Sequence, residues 1–341
     1  IERYKHLFDI AKETEEGMRL TKSQLMILDS AVEESEWSVI DEQFIKQREK
    51  LRNISELEQK ELTDGFTGEL RHYQKSGYDW LHFLHDNDFG GCLADDMGLG
   101  KTIQALAFLS SLKKSGHSKN ADIVVMPKSL LTNWKRESTK FTPDTKVLIY
   151  AEGDRTKDAK QFDQYDLVLT TYGIMLRDID ILSTYRFHYA ILDESQAVKN
   201  PLCQTGKAAR ILNADHKLVL TGTPVENSTV ELWSQFAYLN PGMLGSLDYF
   251  KNEFSGPIER HQDNETAEQL RKIVNPFILR RTKEQVAPEL PEKTERVIVC
   301  DMDKAQRKIY NQMRDKYRNE LLGVVEKSGM QSIRMKILEG L

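Results

Sequence analysis

A glycine-broken turn between a short apolar run and a helix constrains this chain more than any other feature. Residues 90–104 read Gly-Gly-Cys-Leu-Ala-Asp-Asp-Met-Gly-Leu-Gly-Lys-Thr-Ile-Gln, in the order strand, loop, helix. A loop whose backbone N–H groups converge on a helix N-terminus is a binding site for anions, phosphate above all. Gly98 and Gly100 remove the side chains that would block close approach, Lys101 supplies a point charge for the outer phosphates, and Thr102 offers a hydroxyl to Mg²⁺. The strict pattern wants a glycine five residues before Gly100, where this chain has Asp95.

After the loop, apolar β-rich runs alternate with helical patterns. The runs are Ile123–Met126, Val147–Tyr150, Leu167–Leu169, Tyr189–Leu192 and Leu218–Leu220, with helix-like stretches such as Leu130–Lys140 and Gln204–Leu212 between them. Apolar strands separated by helices predict an α/β fold: a parallel sheet with helices on both faces, whose ligands bind beyond the carboxyl ends of the strands. Residues 1–64 read as a helical accessory segment, with apolar residues at helical spacing in Leu20, Ile27, Leu28 and in Phe44, Leu51, Ile54, Leu57. Residues 65–290 form the lobe, with a helical excursion over 228–275. Residues 291–341 read as a linker, with Val297–Val299 as one further strand and an amphipathic helix that Asp303 and Gln306 start as a capping box.

Net charge is −5 and gives no general attraction for polyanions. It is unevenly placed: residues 1–64 hold 16 acids against 10 Lys/Arg, and residues 293–341 hold 7 acids against 11. Contact with nucleic acid must therefore be local. No apolar run approaches bilayer length, so a membrane partner is not expected. The three cysteines, far apart and without metal spacing, fit reduced thiols in the cytoplasm.

Two further motifs follow apolar runs. Asp193-Glu194-Ser195-Gln196 comes 92 residues after Lys101. Asp193 suits Mg²⁺ together with Thr102, and Glu194 suits orientation or deprotonation of an attacking water, because in phosphoryl transfer the protein mainly positions and neutralises. In Thr221-Gly222-Thr223, hydroxyls flanking a glycine suit a hydrogen-bonded link from the carboxylate pair to another ligand. Trp134 and Trp233 read as packing residues.

In their order the motifs resemble the first RecA-like lobe of the SWI/SNF-type ATPases of helicase superfamily two, from about Leu70 onward. The matching pieces are Leu-Arg-x-Tyr-Gln (70–74), Asp-Asp-Met-Gly-Leu-Gly-Lys-Thr (95–102), Met-Pro-Lys-Ser-Leu-Leu-x-Asn-Trp (126–134) and Thr-Thr-Tyr (170–172). Asp-Glu-Ser-Gln (193–196), Lys-Asn-Pro (199–201), Leu-Thr-Gly-Thr-Pro-x-Glu-Asn (220–227) and Pro-Phe-Ile-Leu-Arg-Arg-Thr-Lys (276–283) also match.

The resemblance implies an ATP- and Mg²⁺-dependent ATPase lobe of a double-stranded DNA translocase that remodels protein–DNA complexes. It implies that Gln74 reads the adenine edge and that Asp96, Met97, Gly98, Leu99, Gly100, Lys101 and Thr102 line the nucleotide. Lys101, Asp193 and Glu194 are the expected catalytic residues. Lys128, Ser129, Thr171, Tyr172, Lys199 and Asn200 lie in segments expected to touch or flank the DNA backbone. Thr221, Gly222, Thr223 and Gln196 are expected to couple hydrolysis to DNA contact, although many relatives have His where this chain has Gln196. Asp95 fits too, because this family commonly carries an acid there. Arg280 and Arg281 face DNA or brace the lobe junction. The resemblance implies a second lobe, and nothing after Val299 looks like more than the entry into it. Residues 291–341 are therefore expected to be a linker and the start of a truncated second lobe, and the 341 residues alone are expected to hydrolyse ATP at a near-background rate. A strand-separating helicase, a restriction-type translocase subunit and a nucleotide-gated protein-interaction module stand as alternatives.

Overall fold

In the computed structural model, the described residues are 12–14, 17–19, 57–117, 120–151, 155, 158–224, 228–286 and 297–328, the last helix with side chains to 319. Two compact units appear, Ile1–Leu290 and Pro291–Leu341.

The first unit begins with two short antiparallel strands, β1 (Lys12–Thr14) and β2 (Gly17–Arg19), in a stretch expected to be helical. Gly17 and the β-branched Thr14 are poor helix residues, which weakens the helical reading locally. Residues 57–62 are also non-helical, yet Leu57 and Leu62 pack against the core of the lobe. The other apolar positions of the expected helices, from Leu20 to Ile54, lie outside the described residues.

The lobe then runs α1 (His72–Asp86), β3 (Gly91–Leu93), α2 (Lys101–Lys114), β4 (Asp122–Met126), α3 (Leu131–Phe141), β5 (Val147–Tyr150), β6 (Leu167–Thr171), α4 (Tyr172–Arg177), α5 (Ile179–Leu182) and β7 (Phe187–Asp193). It continues through α6 (Gln204–Ile211), β8 (Ala214–Leu220), α7 (Thr229–Leu239), α8 (Leu247–Phe250), α9 (Gly256–His261), α10 (Asn264–Val274), β9 (Ile278–Leu279) and α11 (Lys283–Val286). Each predicted run of the lobe is a strand, and the 228–275 stretch is helical, with a π-helical turn at Lys251–Ser255. The two-residue β9, buried in the motif Pro-Phe-Ile-Leu-Arg-Arg, is too short to show a period in sequence.

Seven strands form one sheet in the order β5-β6-β4-β7-β8-β3-β9, every neighbouring pair parallel. The strands are apolar throughout because successive side chains enter two different cores. Leu93, Val124, Met126, Leu167, Leu169, Ile191, Leu218 and Leu220 join the cluster under α1, α2 and α3. Their alternates Cys92, Ile123, Val125, Val168, Ala190, Leu192 and Val219 join the cluster under α4, α5 and α6. A fully buried Leu or Ile in such a site contributes about 2–5 kcal/mol against its truncation to Ala. Helix α2 is buried along nearly its whole length, from Lys101 to Leu112, which holds the loop at its start rigidly against the sheet.

In the second unit, α12 (Lys304–Ser328) begins as expected, with Gln306 N donating to Asp303 Oδ1 at 2.8 Å. Val297, Ile298 and Val299 form no strand; they are 91%, 81% and 81% exposed, and without a ladder neighbour an apolar run gains nothing from extension. No described helix is long and apolar enough to cross a membrane.

Candidate active site

The register brings the motif-bearing loops together. Leu93 of β3 pairs with both Leu220 of β8 and Leu279 of β9, and Leu220 pairs in turn with Asp193 of β7. The segments after β3, β7, β8 and β9 therefore leave the same carboxyl edge side by side, where parallel sheets bind ligands.

In the phosphate loop, Gly98 and Gly100 adopt φ values of 86° and 82°, in the left-handed region that costs an L side chain about 1–2 kcal/mol. Lys101 is buried and its Nζ donates to the carbonyls of Asp95 (2.7 Å) and Asp96 (3.4 Å). Thr102 follows, half-buried, and Met97 stands 66% exposed over the loop. Gln74 is buried: its Oε1 accepts from Arg71 N (2.9 Å) and its Nε2 donates to the Leu99 carbonyl (3.1 Å). Gln74 thus fastens α1 to the loop.

Asp95 is fully buried. Arg281, entering from β9, donates to it from Nε at 2.9 Å and from Nη2, and Gln104 Nε2 adds a bond at 3.3 Å. Arg281 Nη2 also donates to Gln104 Oε1 (2.9 Å), and Nη1 to the Tyr73 carbonyl. Backbone bonds from Ala94 N to Leu279 O and from Asp96 N to Arg281 O complete the seam. Arg281 thus braces the phosphate loop. Arg280 beside it is exposed.

Asp193 is 5% exposed. Its Oδ2 accepts from Trp134 Nε1 (2.7 Å) and its Oδ1 from Glu194 N (2.9 Å). Burial pushes its carboxyl up to about 6, the Trp134 hydrogen bond and the nearby Lys101 charge hold it down, and Glu194 pushes it further up. Trp134 is therefore more than the packing residue expected from sequence. Trp233 Nε1 donates to Gly245 O (3.1 Å), away from the motifs. Glu194 has φ 49°, a strained value for a side-chain-bearing residue, which turns the chain sharply at the strand end. Gln196 Nε2 donates to Glu194 Oε2 (2.9 Å).

Thr221 is buried, bonds Leu93 O through its N–H (3.1 Å), and accepts from Thr223 N on Oγ1 (3.2 Å). Gly222 lies against Met97, where an added Cβ would stand 3.3 Å from Met97 Cγ. The Thr-Gly-Thr segment thus abuts the phosphate loop.

The residues expected near DNA divide into two groups. Lys128 and Ser129 after β4, and Asn200, are exposed. Thr171 caps α4, accepting from Ile174 N (3.3 Å). Tyr172 turns inward, donating to the Asp193 carbonyl (2.8 Å). Lys199 is buried, with Nζ 3.4 Å from Glu231 Oε2. For these last two, the polar ends are engaged inside the lobe.

The donor set suits magnesium. A Thr hydroxyl and a carboxylate are hard oxygen ligands, and magnesium sites take one or two carboxylates beside substrate phosphates. A buried carboxylate with a raised pKa is also the group that a divalent cation would stabilise in its charged form.

The family model described as SNF2-related domain matches residues 73–341. The putative ATP-dependent helicase/translocase YwqA of Bacillus subtilis is 41% identical over 269 residues, covering 77% of this chain and 29% of YwqA. The TATA-binding protein-associated factor MOT1 of Saccharomyces cerevisiae is 33% identical over 296 residues, covering 80% of this chain and 16% of MOT1. The solved Sulfolobus solfataricus SWI2/SNF2 ATPase core in complex with dsDNA superposes with a TM-score of 0.64 at 37% identity, over 83% of this chain and 59% of that one. The chain spans less than a third of the length of these two curated relatives. On the family match, and with a RecA-like sheet carrying these loops, the chain belongs to the SNF2-related domain family of helicase superfamily two.

Proposed function

We propose that this chain is the nucleotide-binding lobe of a DNA-dependent ATPase that moves along duplex DNA and remodels bound protein. The observation that carries the reading is the buried Asp193, its carboxyl pushed up to about 6, within the electrostatic reach of Lys101 and one strand away from the phosphate loop. In this reading, Lys101 exchanges its loop carbonyls for the outer phosphates of ATP. Thr102 and Asp193 hold magnesium, which when bound neutralises charge on the phosphate oxygens. Trp134 fixes the Asp193 carboxylate in orientation. Glu194, steadied by Gln196, orients the attacking water and takes its proton. Thr221–Thr223, against Met97, pass the state of the loop to the DNA-facing edge, where Lys128, Ser129 and Asn200 meet the phosphate backbone. Those contacts carry little sequence information. Among the similar proteins, a helicase/translocase and an ATPase core in complex with dsDNA agree with this substrate. Separated from the rest of a longer protein, the 341 residues bind Mg·ATP and hydrolyse it slowly.

The test is titration of a fluorescent ATP analogue and of duplex DNA. Mg-dependent nucleotide binding should weaken at least tenfold in Lys101→Ala. DNA affinity should fall steeply with salt, as counterion release requires. In the longer protein, triplex displacement without fork unwinding is the expected activity. ATP-gated protein binding with no salt-sensitive DNA affinity would replace this reading with the interaction module.

A further inference from the structure

At the opposite edge of the sheet, three histidines from three elements converge. His85 lies in the last turn of α1, and His188 and His216 lie near the starts of β7 and β8. One ring nitrogen from each lies within 4.8 Å of the others. His188 is buried and the other two are half-buried. We propose that this cluster is a binding site for a divalent transition cation of the zinc class, which staples the end of α1 to the starts of β7 and β8.

The surroundings fit a metal. His188 Nδ1 lies 3.2 Å from Asp122 Oδ1, and His85 Nδ1 lies 3.1 Å from Tyr189 Oη. A metal-ligating histidine characteristically engages a carboxylate or another polar group through its second nitrogen, and here both Nδ1 atoms are so engaged, which leaves Nε2 of each ring for a cation. Asp122 is itself anchored by Tyr189 N at 3.0 Å. Three imidazoles bring no charge of their own, but Asp122 lies against His188 and Asp88 acts electrostatically on His216, so these two acids would offset a dication, while Asp86 and Asp215 are already paired with Lys60 and Arg186. Imidazole donors favour zinc, copper and nickel over calcium or magnesium. A cleft of about 350 Å³, lined by Asp88, Gly90, His216 and Lys217, opens beside His216 and gives a route for the ion and a water ligand. Tetrahedral zinc holds nitrogens about 3.3 Å apart at Zn–N distances of about 2.0–2.1 Å, so small ring rotations close the site. The cluster lies outside the nucleotide site, so metal there acts on stability and not on the chemistry.

The experiment is zinc titration of the chelator-treated 341-residue chain by calorimetry, with the melting temperature followed in parallel. One equivalent should bind, EDTA should reverse it, and saturation should raise Tm by about 5 °C or more. His85→Gln and His216→Asn should each weaken binding at least tenfold, while His261→Asn, at an exposed position, should not. Should either variant melt early without metal, ring ¹H–¹⁵N spectra of the wild-type chain supply the second readout: zinc must shift the resonances of His85, His188 and His216 together. No uptake, uptake indifferent to both variants, or shifts confined to other histidines would each overturn the proposal.

Discussion

Replacing Arg281 with methionine tests the bracing of the phosphate loop. Arg281 is 13% exposed by side chain and Asp95 is 0% exposed, and their contact is bidentate. Removing the guanidinium leaves a buried carboxylate with only the 3.3 Å bond from Gln104, and stripping one partner from a buried pair costs about 3–5 kcal/mol. The Tyr73 carbonyl and Gln104 Oε1 also lose a donor. At about 2–4 °C per kcal/mol, Tm should fall by roughly 10 °C. Asp95→Asn removes the charge from the other side and should cost about 2–3 kcal/mol, since the guanidinium keeps some solvent. The double variant carries no buried charge, and only hydrogen bonds remain lost, so it should be more stable than Arg281→Met alone. The cycle should show a coupling energy of about 2 kcal/mol or more. Urea unfolding followed by tryptophan fluorescence, with Trp80 and Trp134 both buried in this lobe, measures all four corners. Costs that simply add, or an Arg281→Met change within about 0.5 kcal/mol of wild type, would refute the reasoning.

Gly77→Ala, normally stabilising by about 1 kcal/mol in a helix interior, should destabilise here, because the new Cβ would fall 1.9 Å from Gln104 Oε1 and 2.9 Å from Arg281 Nη2; a thermal melt reads the sign. Asp193→Asn should stabilise the nucleotide-free chain at pH 8 by about 1–3 kcal/mol, since the folded carboxyl at about 6 sits above its ordinary 3.8 and each unit is worth about 1.4 kcal/mol. A raised carboxyl favours folding when protonated, so the wild type gains on the variant as pH falls through about 6, and the difference should vanish below about pH 4; Tm against pH checks this. Trp134→Phe removes the donor that holds Asp193 down. The acid limb of Mg·nucleotide binding should move up by roughly 1–2 pH units, and an unmoved limb in a folded variant would exclude Trp134 as a positioning residue.

Sequence made much of this legible because the relevant signals are local. A period of two with both faces apolar specifies a strand buried on both sides, and that is a property of five consecutive residues. The phosphate loop, Asp193-Glu194 and Thr221–Thr223 are likewise contiguous, and their place after apolar runs puts them at the carboxyl edge of a parallel sheet. Where the local signal was weak, as at Lys12–Arg19 or Val297–Val299, pattern and structure part. There a periodicity or an apolar composition competes with glycine content or with the lack of a partner to bury against.

What only the tertiary structure decided are the pairings across long sequence separations. Asp95 stood in the sequence as an acid in a glycine's place, and nothing near it named its partner, because Arg281 is 186 residues away and reaches it through β9. Trp134 reads as apolar bulk until the fold brings its indole N–H to Asp193, 59 residues on. Tyr172 and Lys199 have the right chemistry for a DNA backbone, yet burial directs their polar ends to the Asp193 carbonyl and to Glu231. The histidine cluster joins three elements whose adjacency exists only in the packed sheet. Sequence by itself determined the fold class and the phosphate-binding loop, because backbone geometry and hydrophobic period are written residue by residue. Which side chain neutralises, orients or braces another depends on chain segments closing on each other, and that closure is fixed only when the whole core is packed.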